Sequence, residues 1–186
     1  MKDFIRIVLS NCSQFLNISL LHNDISRIEN HVKNALGYSN AKELRDRFEG
    51  LSFLNNFLIK IAGVKALEKL IKIDLVNLID INPKDYDPIV IIKGEKLRVI
   101  TSDYGELPVI NKKYKMPIVF CVRRDKKNIW ICGLADKKIL NHNQNDSYIK
   151  GEMLKSKSDK TCFTGFNKLM IFNSEQELIT LIKQSL

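Results

Sequence analysis

Residues 89–133 read IVIIKGEKLRVITSDYGELPVINKKYKMPIVFCVRRDKKNIWICG, and this stretch decides the fold. It contains four apolar runs rich in β-branched and aromatic residues, at 89–92, 97–102, 118–122 and 129–132. A glycine separates the first two runs and a charged turn separates the last two, as in hairpins. The stretch therefore predicts two consecutive pairs of β-strands.

The chain before this stretch has the pattern of helices. Residues 1–80 contain apolar positions at helical spacing, including one amphipathic segment that Gly37 can end. Asn40 and Glu43 resemble a capping box for a second, short helix. Gly63 divides the following apolar stretch into two further helical segments. We expect these short helices to pack on one another.

Two signals bracket the strand region. Pro83 cannot continue a helix and marks the change of pattern. Near the other end, Ser174 and Glu177 form a capping box for a last helix. The predicted class is α+β, a mixed α/β fold with an N-terminal helical region (1–80) followed by a mixed sheet flanked by helices (81–186). The boundary is soft, and the two regions can form one continuous domain.

The basic charge is concentrated in one part of the chain. The formal net charge is +9. Residues 1–111 contain 15 basic residues (Lys and Arg) and 14 acidic residues (Asp and Glu). Residues 112–168 contain 14 basic and 5 acidic residues, and residues 169–186 contain 1 basic and 2 acidic residues. A concentrated positive field attracts polyanions, so this distribution favours a nucleic-acid partner. The competing interpretation is a lysine-rich solvated surface without a ligand.

Composition argues against several other classes of protein. No apolar run approaches the roughly 18 residues of a membrane span, so we expect no membrane partner. The four cysteines share no spacing typical of metal ligands, and each lies in an apolar setting. This pattern indicates buried reduced thiols and an intracellular, reducing, cytoplasmic location.

The order of these elements resembles the core of the PD-(D/E)XK, or restriction-endonuclease-like, nuclease superfamily. Helices precede a hairpin that runs into 101–108, followed by the apolar strand 117–122, a charged turn and the strand 129–133. The resemblance covers roughly 90 residues. It implies a restriction-endonuclease-like sheet and, in active members, hydrolysis of phosphodiester bonds by a carboxylate-bound Mg²⁺.

The resemblance breaks at the catalytic motif. Asp87 opens the first strand at a spacing that matches the metal-binding aspartate of the family. Arg98 stands where the second carboxylate should be, and Ile100 stands where the lysine should be. An arginine repels Mg²⁺ and an isoleucine cannot stabilise charge, so the mapping implies an inactive site. An active Mg²⁺-dependent endonuclease, the alternative, would need Asp87 as metal ligand with partners among three other acids, namely Glu95, Asp103 and Glu106.

The sequence therefore predicts a nucleic-acid-binding protein with a nuclease-like fold and a silent catalytic site. No cofactor is expected unless the site is active, in which case it is Mg²⁺. A second alternative is an adaptor whose residues 1–80 form a homo-oligomer or bind another protein. The predicted nucleic-acid-binding residues are Lys112, Lys113, Lys115, Arg123, Arg124, Lys126 and Lys127. Further lysines that would extend this surface are Lys137, Lys138, Lys150, Lys155, Lys157 and Lys160.

Overall fold

A computed structural model describes residues 1–35, 37, 48–149 and 159–185 of the protein. The helices in this part of the chain are α1 (Lys2–Ile7), α2 (His22–Ala35), α3 (Phe48–Ile71), α4 (Lys137–His142) and α5 (Glu175–Gln184). The strands are β1 (Leu16–Ser19), β2 (Ile89–Ile92), β3 (Glu95–Asp103), β4 (Val109–Asn111), β5 (Ile118–Arg123), β6 (Asn128–Ala135), β7 (Gln144–Asn145) and β8 (Lys160–Phe163). The predicted α+β class is confirmed.

A mixed five-stranded sheet is the centre of the fold. Its strand order is β1-β6-β5-β3-β2, in which β3 and β5 run parallel and all other neighbours run antiparallel. The strands β4, β8 and β7 form a second, smaller sheet. The four strands predicted from 89–133 are all present in the larger sheet, because each carries a local β pattern.

The turn between β2 and β3 uses a left-handed backbone. Lys93 has φ of 48° and Gly94 has φ of 88°. Two consecutive residues with positive φ match the right-handed twist of the flanking strands. This confirms the predicted hairpin.

Helix α3 corrects the prediction of separate short helices around Gly63. The helix runs unbroken from Phe48 to Ile71, because a single glycine costs only about 1 kcal/mol in a helix interior. A Cβ on Gly63 would lie 2.0 Å from the Thr101 hydroxyl oxygen on β3. The absence of a side chain at Gly63 therefore lets α3 approach the sheet closely. The predicted Asn40–Glu43 capping box lies outside the described residues.

The N-terminal region also contains a strand, which the prediction of an all-helical 1–80 missed. β1 pairs antiparallel with β6, with Leu16 opposite Ile131 and Ser19 opposite Asn128. Its four residues alternate between apolar and polar, which is the pattern of a half-buried strand. So short an alternation is difficult to separate from helical spacing by sequence.

The soft boundary near residue 80 does not separate two cores. One core cluster joins Leu67 of α3 to Val99 of β3, Ile131 of β6 and Leu178 of α5. A second cluster lies on the opposite face of the large sheet and joins α1 to β5 and β6. A third lies between α2 and α3. Residues from both sides of the boundary are therefore buried together.

Helix α5 begins as predicted. The Ser174 hydroxyl accepts from the Glu177 backbone amide at 3.3 Å, and the Glu177 carboxylate accepts from the Asn173 amide at 2.7 Å. Among the described helices, none has the combined length and apolarity that crossing a bilayer requires. Cys121, Cys132 and Cys162 are buried, and Cys12 is half-buried.

Candidate nucleic-acid interface

Asp87 is held by an arginine of the neighbouring strand. Arg98 donates two hydrogen bonds to the Asp87 carboxylate, one of them from Nη2 to Oδ2 at 3.0 Å. The Arg98 guanidinium also lies over the Tyr114 ring, 4.5 Å from its centroid. Arg98, which the predicted mapping aligns with a second carboxylate, thus neutralises the charge of Asp87.

The other predicted acids do not converge on Asp87. Glu95 and Asp103 are the two ends of β3, and the register with β2 places Asp87 beside Ile100. At about 3.3 Å per residue, Glu95 is roughly 16 Å and Asp103 roughly 10 Å along the strand from that position. Glu106 is exposed in the turn that follows Asp103.

These positions do not suit a shared Mg²⁺ ion. Oxygen ligands must lie at roughly 2.0–2.6 Å from one ion, whereas the Asp87 carboxylate is paired with Arg98 and the Asp103 carboxylate with Arg123. In residues 1–35, 48–149 and 159–185, no group of three or more His, Cys, Asp or Glu side chains is arranged to hold a metal. No catalytic step through a metal follows from this arrangement.

The predicted basic residues fall into two groups at opposite ends of β5. The loop 112–115 precedes the strand at Ile118, and the turn 124–127 follows it at Arg123. A strand of this length spans about 17 Å. The structure therefore does not bring the two groups together into one patch.

The loop group is partly neutralised. Lys112 is 2.5 Å from a carboxylate oxygen of Asp146, and Lys113 is 3.0 Å from one of Asp159. The hydrogen bond from Lys112 lowers the pKa of Asp146 below its usual value. Lys115 is exposed and forms no ion pair with a described residue.

The second group is the basic turn, which we define as residues 124–127 between β5 and β6. Arg123, just before it, is committed to Asp103, with Nε–Oδ1 at 2.6 Å and Nη2–Oδ2 at 2.9 Å. Arg124, Lys126 and Lys127 are exposed, and the described residues offer none of them an ion pair. The Arg124 guanidinium lies 4.7 Å from the centroid of Trp130, a mostly buried ring.

Asp125 fixes the shape of the basic turn. Its Oδ1 accepts from the backbone amides of Lys127 at 2.8 Å and Asn128 at 2.9 Å, and its Oδ2 accepts from the Asn128 side chain at 2.8 Å. The Asn128 side chain, these two amides and the nearby Arg124 charge hold the pKa of Asp125 below its ordinary value. The one acid in the turn therefore orders its backbone.

The additional predicted lysines lie away from the basic turn. Lys137 and Lys138 begin α4, just after Ala135, which is opposite Ile118 at the start of β5. Lys160 is opposite Asn111, next to the loop group. Lys150, Lys155 and Lys157 lie outside the described residues.

Sequence reasoning missed a groove beside the basic turn. It has a volume of about 520 Å³ and lies between α2, the first half of α3, and the ends of β3 and β5. Asp103 and Arg123 end these two parallel strands in register, and Asn55 of α3 accepts from Arg123 Nη2 at 2.8 Å. The sequence carries no signal for this groove, because its walls are distant along the chain.

Comparisons of the chain with protein-family models, with curated proteins and with solved structures found no match. The nuclease resemblance therefore stays a prediction.

Proposed function

We propose that this protein binds nucleic acid through the sugar-phosphate backbone and that the basic turn is its principal contact. The observation that carries the proposal is the display of three exposed cations, Arg124, Lys126 and Lys127, on a turn whose backbone Asp125 fixes. Because the turn backbone is already fixed, binding of phosphates to these side chains does not have to order the turn first. Contacts of this kind do not read base sequence.

The loop group is a weaker candidate for this contact. Lys112 and Lys113 already have carboxylate partners, so a phosphate would have to compete with Asp146 and Asp159. In the basic turn, no described carboxylate is paired with Arg124, Lys126 or Lys127. The acid of the turn, Asp125, uses its oxygens to accept from the turn backbone and Asn128. This difference is the reason for choosing one end of β5 over the other.

The proposal assigns no catalysis to Asp87. Its carboxylate is paired with Arg98, and Asp103 of β3 is paired with Arg123. Incubation of the protein with plasmid in Mg²⁺ or Mn²⁺ should leave the plasmid intact. Cleavage that disappears in Asp87→Ala would contradict this part of the proposal.

Fluorescence anisotropy with short DNA and RNA over a salt series tests the binding. Three phosphate contacts predict a slope of log K against log salt of about −2 to −3. The triple variant Arg124→Glu, Lys126→Glu, Lys127→Glu should lose binding at all salt concentrations. A matched control, Lys84→Glu, Lys168→Glu, Lys183→Glu, changes the net charge equally at exposed positions elsewhere.

The two triple variants separate a defined interface from a general charge effect. Loss of binding only in the turn variant supports the proposal. Equal losses in both variants, or undiminished binding after reversal of the turn, would overturn the placement of the interface. Absence of any binding by the unaltered protein at low salt would overturn the function itself.

A further inference from the structure

We infer that the groove beside the basic turn holds one unpaired base of the bound nucleic acid, so that the preferred ligand is single-stranded or contains an extruded nucleotide. This inference rests on the proposed function. It adds the class of ligand, which phosphate contacts alone leave open. The groove volume of about 520 Å³ is in the range of small-ligand sites, roughly 300–1,000 Å³.

The position of the groove connects it to the phosphate contacts. Arg124, Asp125 and Lys126 of the basic turn are also part of its wall. A strand whose phosphates lie on the turn therefore passes the mouth of the groove. The groove also lies beyond the carboxyl ends of the parallel strands β3 and β5, which is where open α/β sheets commonly bind ligands.

The charges of the groove favour a neutral occupant. The charged residues of its wall balance at three acids and three bases, which are Glu29, Asp103, Asp125, Arg123, Arg124 and Lys126. A phosphate or an acidic side chain would find no excess of positive charge inside. A nucleobase is neutral at pH 7, and its phosphate can stay outside on the exposed cations.

The apolar part of the groove suits the face of a base. Its apolar lining consists of Leu54, Leu58 and Ala62 of α3 and of Ile25 of α2, among others. Tyr104, at the end of β3, is 43% exposed and lines the same space. Apolar side chains pack against an extruded base and exposed aromatic rings stack on it, whatever the sequence.

The polar part suits the edge of a base. Arg123 uses Nε and Nη2 for Asp103 and Asn55, and its Nη1 donates to no described residue. The Asn55 carbonyl accepts from Arg123, so its amide nitrogen is available as a donor. Asp103 adds acceptor oxygens. Donors and acceptors side by side match the mixed edges of the bases.

A base in a duplex reaches such a groove only after it leaves the stack, which costs a few kcal/mol. A single strand is largely spared this cost. We therefore expect the protein to bind a single-stranded oligonucleotide about tenfold tighter than a duplex of the same length at the same salt concentration. A strand of equal length with abasic sites at its centre should bind as weakly as the duplex.

A variant that narrows the groove with a non-aromatic side chain tests the site directly. Asn55 is exposed on α3 and lines the groove, so Asn55→Met places an apolar chain there that cannot stack on a base, and it removes the acceptor of the Arg123 hydrogen bond. The neighbouring Asn56 is equally exposed and is not part of the groove wall, so Asn56→Met is the matched control. Circular dichroism establishes that both variants fold.

We expect Asn55→Met to lose the preference for single strands and to keep duplex binding, while Asn56→Met keeps both. Equal affinity of the unaltered protein for single strand, abasic strand and duplex would overturn the inference and leave the proposed function intact. A preference for single strands that survives in Asn55→Met would also overturn it. Absence of binding to all three ligands would instead defeat the proposed function.

Discussion

Arg98 and Asp87 form a two-bond ion pair across neighbouring strands, with Nη2–Oδ2 at 3.0 Å. The Arg98 side chain is 14% exposed and that of Asp87 is 49% exposed. The arginine is thus the member that depends on its partner, because a buried charge without compensation is costly. Under the predicted nuclease mapping an active site would have a second carboxylate in place of Arg98, and the two acids would repel each other in the absence of a metal.

The deeper burial of Arg98 predicts that removal of the Asp87 carboxylate destabilises the protein. Asp87→Ala should lower the free energy of unfolding by about 1–2 kcal/mol, because it leaves the Arg98 charge unpaired. Arg98→Met keeps much of the aliphatic volume and removes that charge. In the double variant Asp87→Ala, Arg98→Met, the loss should be smaller than the sum of the two single losses.

Urea unfolding of the four proteins measures this coupling. A stabilising effect of Asp87→Ala is the behaviour of a repelled metal-site acid and would contradict the ion-pair interpretation. Strictly additive losses would show that the two side chains do not depend on each other.

The sequence predicts the strands that carry Arg98, Asp103 and Arg123 better than it predicts the contacts of these side chains. The alternation of apolar and polar residues in 97–102 is local and specifies β3. The departure of Arg98 and Ile100 from the predicted catalytic motif can likewise be seen in the sequence. The pairing of Asp103 with Arg123 depends on the parallel register of β3 and β5, which no local pattern encodes. The groove beyond these strands is equally non-local, as is the separation of the two basic groups by β5.

Gly63 shows a related limit of local reasoning. By sequence it is a helix breaker, yet in the fold it is where α3 touches β3. Gly63→Ala should destabilise the protein by about 1–3 kcal/mol, because the new methyl group overlaps the Thr101 hydroxyl. In an exposed helix the same substitution would stabilise by up to about 1 kcal/mol. Thermal or urea unfolding gives the sign.

The contact with Thr101 supplies the control for this prediction. Adding Thr101→Ala to Gly63→Ala removes the overlapping oxygen and should recover part of the loss. Recovery remains incomplete, since a Cβ on Gly63 would also lie 3.2 Å from Val99 and 3.3 Å from Cys121. An increase in stability for Gly63→Ala alone would show that α3 lies further from the sheet.

Glu68 holds the chain that leaves α3. It is 8% exposed, and its Oε1 accepts from the backbone amides of Leu75 and Val76, each at 2.9 Å. Its Oε2 lies 2.7 Å from the Lys65 ammonium. Glu68→Ala should cost about 2–4 kcal/mol, because it leaves two amides without an acceptor and Lys65 without its carboxylate partner.

Glu68→Gln separates these contributions. The amide oxygen can still accept from Leu75 and Val76, so this variant should lose less than the alanine variant. Hydrogen exchange at the two amides gives a local measurement, with faster exchange expected in Glu68→Ala than in Glu68→Gln. Equal exchange in all three proteins would exclude Glu68 as the acceptor that protects them.

The basic turn predicts a pH-dependent contribution from Asp125. Hydrogen bonds from Asn128 and from the turn amides lower its pKa in the folded state, relative to about 3.9 in an unfolded chain. The unfolded state therefore takes up the proton first as the pH falls. The stabilisation is fully present above about pH 4 and is lost as the pH falls through the folded pKa.

Asp125→Asn removes this titration. At pH 7 the variant should be less stable by about 0.5–1.5 kcal/mol, because an amide accepts with one oxygen where the carboxylate uses two. Below about pH 4 the difference in stability should shrink, since Asp125 in the unfolded state of the unaltered protein then takes up a proton. Urea unfolding at pH 7, 4 and 3 measures it. A difference that stays constant over this range would mean that the charge of Asp125 does not order the turn, and the argument for preorganised phosphate contacts would lose its basis.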